Sequence, residues 1–240
     1  MEMTVRYRGL FLGFVALLAS GVGSAQVVVG TANTGNSLPF GFYNWVGEYQ
    51  QVYSSSAFAG SINVSSLTFF DYYNNTGDTL TATPFQVYLS TTSASVGGLN
   101  ENLANNIGAN QTLVFSGLPP AESEIGSTGA FTFFLSSNFD YNPSAGNLLL
   151  TVITNAPGSS GSMTTYLEAD SSGSLMSRGF SPFPATLATT DSVGLVTGFD
   201  VKVPEPSTQS LALACGIGLA LAWIGGKRRK YTRRATPRTA

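Results

Sequence analysis

Histidine is absent from the 240 residues and cysteine occurs once. Without histidine the chain has no Ser-His or Cys-His pair for nucleophilic catalysis. The one thiol, Cys215, lies in an apolar run near the carboxyl end. Zinc sites draw on the same two residue types, so the body of the chain offers neither a zinc centre nor a disulfide. Charge is also scarce, at 10% of residues. Between Gln26 and Lys202 the only cations are Arg178 and Lys202, and eleven acids set against them leave −9. Such a surface repels phosphate, which excludes nucleic acid as a partner and suits a cationic partner or Ca²⁺. Walker A and Rossmann glycine patterns are missing, and no internal repeat points to a propeller or solenoid.

Apolar and aromatic side chains are plentiful: hydrophobics make up 43% and aromatics 12%, which argues against disorder. Ser, Thr, Asn and Gly fill the polar positions that Glu, Lys and Arg would occupy on helices, so strands and turns are favoured. Residues 26–202, 177 positions, suffice for one domain with its own core and no staple.

Both ends read as targeting equipment. Arg6 and Arg8 precede the apolar run Leu10–Ala19, and Gly23-Ser24-Ala25 supplies small residues for cleavage between Ala25 and Gln26. These features predict a secretory signal peptide over 1–25 and engagement of signal peptidase and the general secretion machinery. Near the other end, Gln209–Gly226 is free of charge and Trp223 sits near its inner boundary. The cations Lys227, Arg228, Arg229 and Lys230 follow, with a basic tail over 231–240. The pattern predicts one short transmembrane helix in membrane lipid, its carboxyl side cytoplasmic and the body of the chain outside. Just before it stand Val203, Pro204, Glu205, Pro206 and Ser207. Proline fixes its own φ and restricts its predecessor, so this segment is expected to be extended and exposed, as a processing enzyme requires.

Val-Pro-Glu-Pro, a short Gly/Ala/Leu span and Lys-Arg-Arg-Lys in that order resemble the bacterial PEP-CTERM sorting domain, here 203–230. The resemblance implies an exosortase as partner, processing at the Pro-Glu-Pro motif, and export in bacteria that make extracellular polysaccharide. It implies anchoring in the membrane first, then release to the cell surface or the extracellular space.

In the middle, the hydrophobic period is two. Phe85–Ser90, Ile62–Tyr73, Gln111–Ser116, Thr132–Leu135, Leu148–Asn155, Met163–Ala169, Val193–Lys202 and Tyr43–Tyr53 are the β-rich runs. Turn signals such as Asn75-Thr76-Gly77-Asp78 and Asn142-Pro143-Ser144-Ala145-Gly146-Asn147 separate them. Eight to ten short strands predict an all-β fold, a single antiparallel β-sandwich or jelly-roll-like domain. Only Leu99–Ile107, bracketed by Gly98 and Gly108, could form a short helix. Tyr49-Gln50-Gln51-Val52-Tyr53, Phe85–Ser90 and Tyr141–Leu150 are similar to segments of the passenger domains that accompany this sorting tail. They imply a β-sandwich passenger with no assigned activity.

Candidate chemistry is sparse. A Ser-Lys arrangement would depend on Lys202. Glu122 with Glu124, or Glu168 with Asp170, are acids at i and i+2 that could share a strand face, as a glycoside hydrolase needs. Both pairs border turns, where charge is commonly solvated. The oxygen-rich turn Asn74–Asp78 could supply hard ligands to Ca²⁺. Trp45, Tyr72 and Tyr73 are candidate contacts for extracellular polysaccharide, with the adjacent tyrosines expected on opposite faces of a strand. The favoured function is a non-enzymatic exported surface or matrix protein without a resident cofactor; a carbohydrate-binding module and a secreted glycoside hydrolase are the alternatives.

Overall fold

The computed structural model describes residues 24–41, 46–73, 80, 83–119, 129–154, 165–182 and 187–202. They fall in one compact unit, Gly23–Val203. The signal-peptide core, the sorting motif, the apolar span and the basic tail lie outside the described residues.

The unit is all-β and antiparallel. In chain order the strands are β1 (Ser24–Val29), β2 (Thr34–Asn36), β3 (Val46–Tyr53), β4 (Ile62–Phe70), β5 (Phe85–Thr92), β6 (Thr112–Gly117), β7 (Ala130–Tyr141), β8 (Asn147–Thr154), β9 (Leu167–Asp170), β10 (Met176–Pro182), β11 (Thr189–Asp191), β12 (Gly194–Leu195) and β13 (Thr197–Lys202). They form a four-stranded sheet, β1-β13-β4-β7, a six-stranded sheet, β11-β10-β3-β8-β5-β6, and a small sheet, β12-β9-β2.

All three sheets contribute to one hydrophobic core. Alternation places Phe85, Val87 and Leu89 of β5 inside. In β4 a register shift between Val64 and Ser66 changes the parity, so that Val64 and then Leu67 and Phe69 all point inward. Phe40 sits at the aromatic centre, its ring 5.0 to 5.6 Å from those of Phe69, Phe85, Phe131 and Phe133. The far side of β3 and β8 carries a smaller cluster of Val52, Leu99 and Leu149, backed by Ala94, Val96 and Ile107.

The Tyr49–Tyr53 segment in β3 joins the three sheets. Gln51, fully buried, donates from Nε2 to the Leu195 carbonyl at 2.8 Å and accepts from the Leu195 N–H at 2.7 Å. Its amide thus replaces a neighbouring strand for β12. The Tyr49 hydroxyl donates to the same Gln51 Oε1 at 2.6 Å, and burial pushes that phenol well above its ordinary range. The Tyr53 hydroxyl and Thr197 Oγ1 are 2.8 Å apart, linking β3 to β13. On the opposite face Gln50 accepts from Asn106 Nδ2 at 2.9 Å and donates to the Leu103 carbonyl at 3.0 Å, fixing the β5–β6 connection over the sheet.

That connection holds Leu99–Ile107, the segment where a short helix could form. Only a 3-10 turn, Leu103–Asn106, forms. Asn106 Oδ1 accepts the Asn100 N–H at 2.8 Å and Asn100 Oδ1 accepts the Asn102 N–H at 2.8 Å. These local bonds take donors that a regular helix would have to align. The Tyr141–Leu150 segment is likewise structural. Tyr141 donates to the Gly146 carbonyl at 2.8 Å, and Asn142 caps a 3-10 turn over Pro143–Ala145. Gly146 has φ of 138°, and a Cβ there would lie 2.6 Å from the Thr92 carbonyl oxygen.

Replacing Gln51 by Leu leaves the buried Leu195 N–H and the Tyr49 hydroxyl without their acceptor, while the Leu195 carbonyl keeps its bond from Thr197 Oγ1. At about 1–3 kcal/mol for each unsatisfied group, the variant is expected to lose roughly 2–5 kcal/mol in urea unfolding. Gln51→Glu, which cannot donate to the Leu195 carbonyl, is expected to be no better.

Candidate functional site

The small sheet carries the candidate site. Gly35 of β2 lies directly opposite Glu168 of β9. Side chains of such a pair project from the same face, and Gly35 leaves its place empty. The Tyr72 ring fills it: a Cβ on Gly35 would lie 2.9 Å from Tyr72 Cδ1 and 3.4 Å from Tyr166 Cβ. Tyr72, Tyr166 and Glu168 therefore share one face. Asp71 bridges to Leu167, and the Tyr72 N–H donates to the Tyr166 carbonyl at 2.8 Å, which ties the end of β4 to the start of β9.

Tyr72 and Tyr73 do not point to opposite faces as expected. The strand has ended at Phe70, and Asp71 Oδ1 accepts the Tyr73 N–H at 3.2 Å, bending the chain. Their rings meet edge to face at 4.9 Å and 73°, and Tyr73 meets Tyr166 at 5.6 Å and 77°. Tyr73 is 56% exposed and Tyr166 43%. Tyr166 was not among the candidates, although a period-two reading of Met163–Ala169 places it on the same side as Glu168.

The expected carboxylate pair divides into two unlike groups. Burial raises the Glu168 carboxyl above its ordinary value, and the neighbouring Asp71 charge adds to the effect. Burial also opposes ionisation of Asp170, but hydrogen bonds outweigh it and hold that carboxyl below its ordinary range. They come from the Ser172 N–H at 2.8 Å, the Thr31 N–H at 3.0 Å and Asn33 Nδ2 at 3.3 Å. Asp170 thus stitches the β1–β2 turn to the β9–β10 turn, while Glu168 stands beside the tyrosines.

A separate recess of about 230 Å³ is lined by Gly97, Leu99, Ser177, Arg178, Thr190, Asp191 and Ser192. Its guanidinium is committed: Arg178 Nε and Nη2 each donate to Asp191 at 2.9 Å, and the group lies 5.1 Å from the Phe180 ring centre. Lys202 takes its place in the ladder at the end of β13. Ala25 and Gln26, the expected cleavage pair, lie in edge strand β1, where Gln26 Nε2 donates to Asp200 Oδ1 at 3.0 Å.

Trp45, the Asn74–Asp78 turn, Glu122, Glu124, Val203–Ser207 and Lys227–Lys230 fall outside the described residues. Among the described residues no group of three or more Asp, Glu, His or Cys side chains is placed to hold a metal ion, and no helix is long and apolar enough to cross a membrane. Comparison with family models, curated proteins and solved structures returns no match to this chain.

The two carboxylates of β9 should affect stability with opposite signs. The Asp170 contribution is present above its ordinary value of 3.8 and fades as pH falls through its lower folded value, so Asp170→Asn is expected to lower the unfolding midpoint at pH 7. Glu168 favours the fold below its ordinary value of 4.5 and loses that contribution as pH rises through its raised folded value. Glu168→Gln is therefore expected to raise the midpoint at pH 7. Thermal melts from pH 3 to 8 read both.

Proposed function

We propose that the chain is an exported, non-enzymatic passenger with a β-sandwich body, associated with extracellular polysaccharide at the cell surface or in the matrix. A membrane span first anchors it, and an exosortase then processes it at Pro204-Glu205-Pro206. The observation that carries this reading is the β1–β13 ladder, in which Gln26, the first residue after the expected cleavage, is paired with Asp200 of the last strand. The folded unit begins and ends at one pole. The expected signal peptide and sorting tail thus join the domain at neighbouring strand ends. The arrangement of Val203–Ser207, the apolar run and Lys227–Lys230 supports the sorting step.

The three-tyrosine corner favours the carbohydrate-binding reading as the activity of the passenger. Exposed aromatic rings with phenolic hydroxyls offer both apolar contact and hydrogen bonds to sugar. The hydrolase alternative is weaker because Asp170 is occupied by the Thr31, Asn33 and Ser172 donors.

Intact-mass analysis of the protein recovered from its native host is expected to give an amino terminus at Gln26 and a carboxyl terminus within Val203–Ser207. Glu205→Ala is expected to keep Lys227–Ala240 and to remain in the membrane fraction. An exported wild-type chain that still carries its basic tail would refute the processing scheme.

A further inference from the structure

The arrangement of the tyrosine rings narrows the ligand. A neutral pyranose stacks best on a broad flat aromatic surface, but Tyr73 stands 73° from Tyr72 and 77° from Tyr166. The rings make a corner, with Tyr73 and Tyr166 the exposed members. A corner of electron-rich rings encloses a compact positive group from more than one side, and a nearby carboxylate completes it. Glu168 shares the face with Tyr72 and Tyr166 because it stands opposite Gly35, and Asp71 is close enough to act on its charge. The internal cation, Arg178, is engaged by Asp191 elsewhere.

We propose that this corner binds the primary ammonium of an amino-sugar residue, with Tyr73 and Tyr166 against the cation and Glu168 as its counter-charge. The proposal rests on the reading of the protein as polysaccharide-associated and specifies the sugar chemistry. The phenolic hydroxyls of the cluster take the neighbouring sugar hydroxyls, which distinguishes an amino sugar from a bare ammonium ion. Acetylation of the amine removes its charge and adds bulk at the corner.

The test is calorimetric titration of the full chain, in non-ionic detergent at pH 6, with a glucosamine hexamer, an N-acetylglucosamine hexamer and hexalysine. The free-amine hexamer is expected to bind about tenfold tighter than the acetylated one, the scale of a desolvated cation–π contact. Tyr73→Ala and Tyr166→Ala are each expected to weaken it by about the same factor. Glu168→Gln should remove the preference between the two sugars. This variant is expected to be more stable than wild type at neutral pH, so its loss of preference would not report unfolding. Asp140→Asn, which removes the same charge from β7, should leave binding unchanged. Hexalysine binding as tight as the amino sugar, or an equal loss in Asp140→Asn, would reduce the effect to general acidity and overturn the proposal. Equal affinity for both sugars, lost in the tyrosine variants, would overturn the ammonium assignment and leave the polysaccharide reading standing. Binding of neither sugar would remove both ligand assignments, while the terminal masses of the exported protein would still judge its sorting.

Discussion

The fold depends on one side chain behaving as main chain. β12 is two residues long, and one of its edges is completed by the Gln51 amide, which both donates to and accepts from Leu195. The three sheets do not share backbone ladders, so buried N–H and carbonyl groups between them are met by side chains. β3 supplies them: Gln51 to the small sheet, Tyr53 to β13 of the four-stranded sheet, and Gln50 to the covering loop. Each polar atom placed there is matched, which makes the register of β3 unforgiving. A shift by one residue would put Gln50 and Val52 where Tyr49, Gln51 and Tyr53 now work.

Three of the β-rich segments are taken up by the frame itself. Tyr49–Tyr53 bridges the sheets. Phe85–Ser90 fills the core from one side of β5. Tyr141–Leu150 turns β7 into β8 around Gly146. All three are scaffold. The tyrosine corner is assembled from other places: the end of β4, the entry to β9 and a glycine in β2.

β5 was legible from its period-two alternation and β8 from a continuous apolar run that is buried on both faces of its sheet, each bounded by turn residues. Other strands lacked that signal for identifiable reasons. β10 contains Ser177, Arg178, Gly179 and Ser181, and it forms because β3 and β11 flank it on both sides. β1 follows directly on an apolar leader, which masked Val27–Val29 as a strand of the domain. In Leu99–Ile107 the apolar spacing suggested a helix, but asparagine side chains took over the local hydrogen bonding. At the site, Tyr72, Tyr73 and Glu168 were separately visible as candidates. Their union was not, because it depends on the end of β4 meeting the start of β9, more than ninety residues further along, with Gly35 leaving room for the Tyr72 ring. Glu168 and Asp170 looked alike in the sequence for a related reason: equal spacing says nothing of the donors that gather around only one of them.

The order of the four-stranded sheet has a mechanical corollary. β1 lies at its rim, whereas β13 runs between β1 and β4. Tension applied through the carboxyl end is resisted by two ladders side by side, and tension through the amino end by a single ladder that peels from the border. A body suspended from its last strand would therefore hold under drag that could strip away its first.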